Sequence, residues 1–137
     1  MKLTSLILFN AVLFIILGIA FALYGPIMID FFGMLAISGA DGAAYWFTAS
    51  FARLFGAALF GFGFLLWAVQ DILSGSDIPA EKCRKLTLAL LIGNTLALFV
   101  TITQQWQVWV NLAGWVISGI FALLAAGYTI MLIRKSG

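Results

Sequence analysis

The sequence predicts an all-α membrane protein: four transmembrane helices in two antiparallel hairpins, plus a short outer interfacial helix between helices 1 and 2. Three observations predict this class. First, 64% of the 137 residues are hydrophobic and 9% are charged, against about 25% charged in a soluble domain, so the chain lacks the polar surface to enclose a core in water. Second, the apolar residues gather into four runs, Leu3–Tyr24, Ala43–Val69, Leu86–Trp106 and Val110–Ile133, each meeting the ~20 residues a helix needs to cross the hydrocarbon core. Third, every Lys and Arg except Arg53 lies before helix 1, between helices 2 and 3, or after helix 4. With four spans these places share one side, and the positive-inside rule puts both termini in the cytoplasm. The length fits a single domain, residues 1–137.

Helix 1 follows Lys2 and contains Ala20-Phe21-Ala22, which resembles a signal-peptide cleavage site. Its apolar run exceeds the usual signal core of about 7–15 residues, so it is read as a span. Gly25-Pro26 ends it, and Pro suits the first turn of a new helix. Ile27–Ile37 is apolar apart from Asp30 and too short to span, so it is expected to lie at the outer headgroups. Gly39-Ala40-Asp41-Gly42 is a turn, with Asp41 placed to cap helix 2.

Ser74-Gly75-Ser76 ends helix 2. Asp77, Pro79 and Glu81 suit the first turn of the next helix. The very short connection Gln104–Trp109 makes helices 3 and 4 a hairpin, leaving helices 1 and 2 as the other. Trp46, Trp106, Trp109 and Trp115, with Tyr24 and Tyr45, form an outer aromatic belt, and Trp67 sits near the inner face.

In lipid, apolar side chains have no reason to prefer each other over acyl chains, so small and polar residues mark helix contacts. Ala89, Gly93, Ala97 and Thr101 recur every four residues in helix 3, and Gly114, Ser118, Ala122 and Ala126 do so in helix 4. Helix 2 has Ala52, Gly56 and Gly63, and helix 1 has Ala11, Gly18 and Ala22. Two matched stripes predict close contact between helices 3 and 4. Either these faces close one bundle, or one of them is a homodimer interface.

Arg53 lies eight residues into helix 2 from Tyr45, about 12 Å below the outer interface at a rise of about 1.5 Å per residue. A cation there costs ~2.5–3.5 kcal/mol at the centre of a span, so a partner is expected. Asp30 is the preferred one, clamping the outer loop to the bundle. Thr48, Thr101, Thr103 and Asn111 offer neutral acceptors, and an anionic headgroup or a translocation role are the alternatives. Asn10 and Asn94 sit at similar depth from the basic side and are expected to bond each other across helices 1 and 3. Together with their surrounding basic residues they suggest a weak internal repeat.

Several function classes are excluded on composition. There is no histidine and a single cysteine, Cys83, so the chain cannot form an internal disulfide, a Cys/His metal site or His-ligated haem. No expected span carries an acid in its interior, which leaves no general acid or base there and no carboxylate for proton coupling. Lys82, Arg84 and Lys85 flank Cys83 and favour its thiolate, but they are explained by topology and attraction to anionic lipid. The expectation is a non-enzyme with no cofactor and no nucleic-acid partner.

The series Gly25-Pro26, Gly33, Ala52-Arg53-x-x-Gly56, Gly61-x-Gly63 and Trp67 resembles small uncharacterised four-helix bacterial membrane proteins, a resemblance that implies no activity. Asn10 with Ala52-Arg53-Leu54-Phe55-Gly56 is also similar to the eukaryotic four-helix scaffold family that tethers sterol-synthesis enzymes. That family has Gly-His in helix 3 where this chain has Gly93-Asn94. Small multidrug transporters share the length but use a Glu in helix 1, where this chain offers Asn10. Four-helix fluoride channels use Gly-Gly and Arg-Tyr there, also without a match.

The expected function is therefore a scaffold or accessory subunit in the cell membrane. It would bind another membrane protein, or a second copy, through Gly56, Gly63, Gly93, Ala97, Gly114 and Ser118. Alternatives are a lipid-binding protein using Arg53, Asp30, Asn94 and Asn10, or a small oligomeric channel or carrier.

Overall fold

The computed structural model describes residues 2–33, 42–75, 79–107 and 111–134, excluding the side chains of Gln107 and Arg134. These residues form four α-helices and no strand: α1 (Leu3–Phe31), α2 (Gly42–Gly75), α3 (Ala80–Gln107) and α4 (Leu112–Arg134). All four are long and apolar enough to cross a membrane. The chain is a multi-pass membrane protein. Large apolar side chains such as Phe47, Leu54, Leu96 and Leu123 are accordingly exposed on the helix flanks, where acyl chains replace water as the solvent.

The expected end of helix 1 at Gly25-Pro26 is a kink. Tyr24 leaves helical geometry (φ −115°, ψ 31°), and the helix then resumes through Pro26 to Phe31. Proline has no N–H to donate, and its ring clashes with the carbonyl four residues back, so the helix bends there without stopping. The helical segment beyond the kink, to Phe31, covers the first part of the expected interfacial helix over Ile27–Ile37, whose later residues lie outside the described ones. Gly33 then closes the end at φ 73°, its N–H donating to the Asp30 carbonyl at 2.9 Å. Only glycine adopts that left-handed geometry without strain. Residues 34–41, including the expected cap Asp41, lie outside the described residues, as do Asp77 and Trp109.

α2 ends at Gly75, within the expected stop signal, and α3 begins directly after Pro79. The Pro79 carbonyl accepts from the Lys82 and Cys83 amides. The basic segment Lys82–Lys85 is therefore the first part of α3, not a loop before it.

α1 is the middle helix. It packs along α2 on one side and touches α4 on the other, while α3 packs against α4. The tightest approach is between α1 and α2, and glycine permits it. A Cβ on Gly18 would stand 2.5 Å from the Phe60 amide nitrogen, and one on Gly63 would stand 2.8 Å from the Ile15 backbone. One on Gly56 would collide with the Ala22 backbone. Residue numbers run in opposite directions along this seam. The expected packing of helices 3 and 4 is present, but the matched small stripes make only part of it. On α3, Ala89 and Gly93 are exposed, and Ala122 and Ala126 on α4 are exposed too. Gly114 and Ser118 are buried, but deeper in α4 the buried face is large: Phe121, Leu124, Tyr128 and Met131.

The core joins Leu3, Leu6, Ile7, Ala11 and Phe14 of α1 to Leu66, Leu90 and the large residues of α4. Phe14 anchors it, with ring centroids 6.0 Å from Phe62 and 6.2 Å from Phe121.

The seam predicts the outcome of adding bulk. Gly56→Leu forces backbone apart and should destabilise the protein by at least the ~1–3 kcal/mol typical of overpacking, read as a lowered thermal midpoint in detergent. Gly61→Leu, whose Cβ meets nothing within 4 Å, should leave that midpoint nearly unchanged. Equal effects of the two would refute the seam.

Candidate functional site

Two groups of polar residues inside the spans are candidates for function, and the structure rearranges both relative to expectation. The first surrounds Arg53. One face of α2 carries Ala49, Gly56 and Gly63 into the α1 seam, and Arg53 borders that face. Its side chain lies across the kink of α1. A Cβ on Gly25 would be 3.1 Å from Arg53 Cγ and 3.7 Å from Nε. Gly25 is buried, whereas Arg53 is exposed. Glycine thus makes room for the Arg53 side chain as far as Nε, while the residue as a whole stays exposed.

The expected Arg53–Asp30 clamp is not formed. Both side chains are exposed, and the ion pair among the described residues is Glu81–Lys85, at 2.7 Å. The proposed neutral acceptors make other hydrogen bonds, and none of those bonds involves Arg53. Thr48, Thr101 and Thr103 donate to the Ala44, Leu98 and Val100 carbonyls, a hydroxyl-to-backbone pattern common for Thr in helices. Asn111 donates to the Phe31 carbonyl and accepts from the Ala113 amide. It thereby supplies a partner for one carbonyl left free at the end of α1 and caps the start of α4.

The second group is buried at the core. Asn10, fully enclosed, donates from Nδ2 to the Tyr128 hydroxyl at 3.2 Å. Asn94 is also buried, but its Nδ2 donates to the Leu90 carbonyl of its own helix at 2.8 Å. The expected Asn10–Asn94 bond is therefore replaced by Asn10–Tyr128, which ties α1 to α4. Neither Asn Oδ1 has a hydrogen-bond partner among the described residues.

Tyr128 is the residue that sequence reasoning missed. A signal for it exists: Gly114, Ser118, Phe121, Leu124 and Tyr128 follow one another at three- and four-residue steps on one face of α4. A tyrosine continuing the small-residue face, instead of lying in the interfacial belt, marks a buried hydroxyl. That hydroxyl needs a partner, and Asn10 meets it because α1 and α4 run in opposite directions. The other buried hydroxyls are satisfied locally. Thr87 donates to the Cys83 carbonyl and Ser118 to the Gly114 carbonyl.

Chemically, the Asn10–Tyr128 pair is a register pin, and Arg53 is an available cation. Compared with protein-family models, curated proteins and solved structures, the chain has no match.

The pin is measurable by a double-mutant cycle. Interhelical bonds in membranes average about 0.6 kcal/mol, with a maximum near 1.7. Asn10→Leu with Tyr128→Phe should show a coupling within that range, read by unfolding in bicelles. Strict additivity of the two single changes would remove the pin.

Proposed function

We propose that this protein is a non-catalytic scaffold or accessory subunit of a cell membrane, docking another transmembrane helix on the open face of α3. In this reading the four helices cross as two antiparallel hairpins, and both termini are cytoplasmic because the cations gather at that end. The observation that carries the reading is the setting of Gly93. A Cβ there would meet nothing within 4 Å, and Ala89, one turn away, is exposed beside it. A small-x-x-x-small pair lets a second backbone approach closely, and here none of the described residues covers it. Gly56 and Gly63 serve a different end, since α1 already fills their face, and Gly114 and Ser118 are also covered. Ala97 is half-buried and marks the edge of the open patch. The partner is another membrane protein or a second copy. The resemblance to four-helix scaffolds points the same way.

Arg53 favours a second reading, a lipid-binding protein. An exposed guanidinium on a spanning helix, without an ion-pair partner among the described residues, is costly in lipid and is stabilised by an anionic headgroup. Asp30, exposed near the same end, then meets water or a partner.

The two readings separate experimentally. In mild detergent, the wild type should co-purify with a stoichiometric partner or as a stable oligomer, and Gly93→Leu should abolish this without lowering the thermal midpoint. Monomers alone, with no partner, would sink the scaffold reading. Arg53→Ala should reduce retained lipid in native mass spectrometry if the second reading holds, and unchanged occupancy would reject it.

A further inference from the structure

Where the N-terminal end of α3 meets the C-terminal end of α4, Glu81, Arg84, Lys85, Leu88, Leu132 and Ile133 line a cleft of about 480 Å³. Its walls differ by depth. The first turns of α3 bring Arg84 and Lys85 to the rim, and one turn further along, Leu88 faces Leu132 and Ile133. The volume falls within the about 300–1,000 Å³ of small-ligand sites. Leu88 and Ile133 are exposed, as are Glu81, Arg84 and Lys85, so the cleft is open along its apolar side, where acyl chains surround the helices, as well as at its charged end.

The charges at the rim are unequal. Lys85 Nζ is 2.7 Å from the Glu81 carboxylate, so these two neutralise each other. Arg84 makes no ion pair with a described residue and is the net cation. A guanidinium forks towards two oxygens at once, the geometry of a phosphate diester. A cation above an apolar wall that opens into lipid fits an amphiphile, because a free phosphate would gain nothing from Leu88, Leu132 and Ile133.

We propose that this cleft binds an anionic glycerophospholipid, with its phosphate on Arg84 and the start of an acyl chain along Leu88 and Leu132. The site lies at the opposite end of the bundle from Arg53 and stands whether or not the scaffold reading holds. It also gives the basic cluster a specific role in addition to setting topology.

The test uses the full chain in nanodiscs of equimolar phosphatidylglycerol and phosphatidylcholine, with retained lipid read by native mass spectrometry. The wild type should retain phosphatidylglycerol preferentially. Arg84→Gln should lower that preference about five-fold, the attraction of roughly one cation near a charged headgroup. Glu81→Gln frees Lys85 and should raise it. Leu88→Trp fills the apolar wall with every charge intact and should lower it. If its helix content or thermal midpoint falls, Ile133→Trp replaces it as the filling variant. A preference untouched by filling the cleft would overturn the proposal, since diffuse attraction to the basic end then explains the binding. Displacement of the lipid by soluble glycerol phosphate would overturn the lipid assignment in favour of a phosphate site.

Discussion

Three glycines allow α1 and α2 to come together until backbone meets backbone. Gly18, Gly56 and Gly63 each occupy a point where a single added carbon would overlap the opposite helix. In lipid this closeness supplies the binding, because dispersion between tightly fitted surfaces replaces the hydrophobic drive available in water. The rest of the fold depends on it. α1 is held along most of its length by α2, which leaves its other face to meet α4. The bend at Tyr24 lies within this held region. Gly25 is buried beneath the Arg53 stem, so the kink and the arginine fit one another.

The second side of α1 is held differently. Large side chains, Phe14 against Phe121 and Leu6 and Ile7 within the same cluster, fill the space to α4. The Asn10–Tyr128 bond selects one register among those that apolar packing alone would tolerate. α3 then packs mainly on α4. α2 and α3 adjoin near the start of α3, where Val69 and Leu73 share a cleft with Lys82 and Leu86, yet both keep broad exposed faces, and those faces carry the features assigned to binding: Arg53 on α2, and Gly93 and Arg84 on α3. The helices that build the core have few features to spare for partners, and the helices that offer such features contribute little to the core.

The sites were legible in part. Gly56 and Gly63 stood out because glycine is costly in a helix interior unless something must come close. Helix 1 was their expected neighbour as the other half of the hairpin, but which of its residues would meet them was not legible. Gly93 looked equivalent to Gly56 by spacing, yet one faces open space and the other a backbone. Asn10 and Asn94 sat at matching depth, but depth fixes only one coordinate. The angle around each helix put Tyr128 opposite Asn10 and turned Asn94 onto its own backbone. Arg53 and Asp30 were paired by elimination, because both lay on the same side. Charge count alone does not fix geometry: the Arg53 stem follows Gly25 while both Arg53 and Asp30 stay exposed.

What the sequence by itself determined is the class of the molecule: four helices long and apolar enough to span, an interruption of regular helix at Gly25-Pro26, and a start for α3 around Pro79. These follow from properties local to a segment, namely apolar length, a missing amide proton and a permitted φ angle, and a segment carries them wherever it packs. The tertiary structure decided which faces meet. That choice rests on differences in fit among several apolar surfaces, each acceptable to lipid, and such differences arise only when two helices are placed together at a given angle and depth. The glycine seam, the Asn10–Tyr128 bond and the cleft beneath Arg84 all arise from that choice.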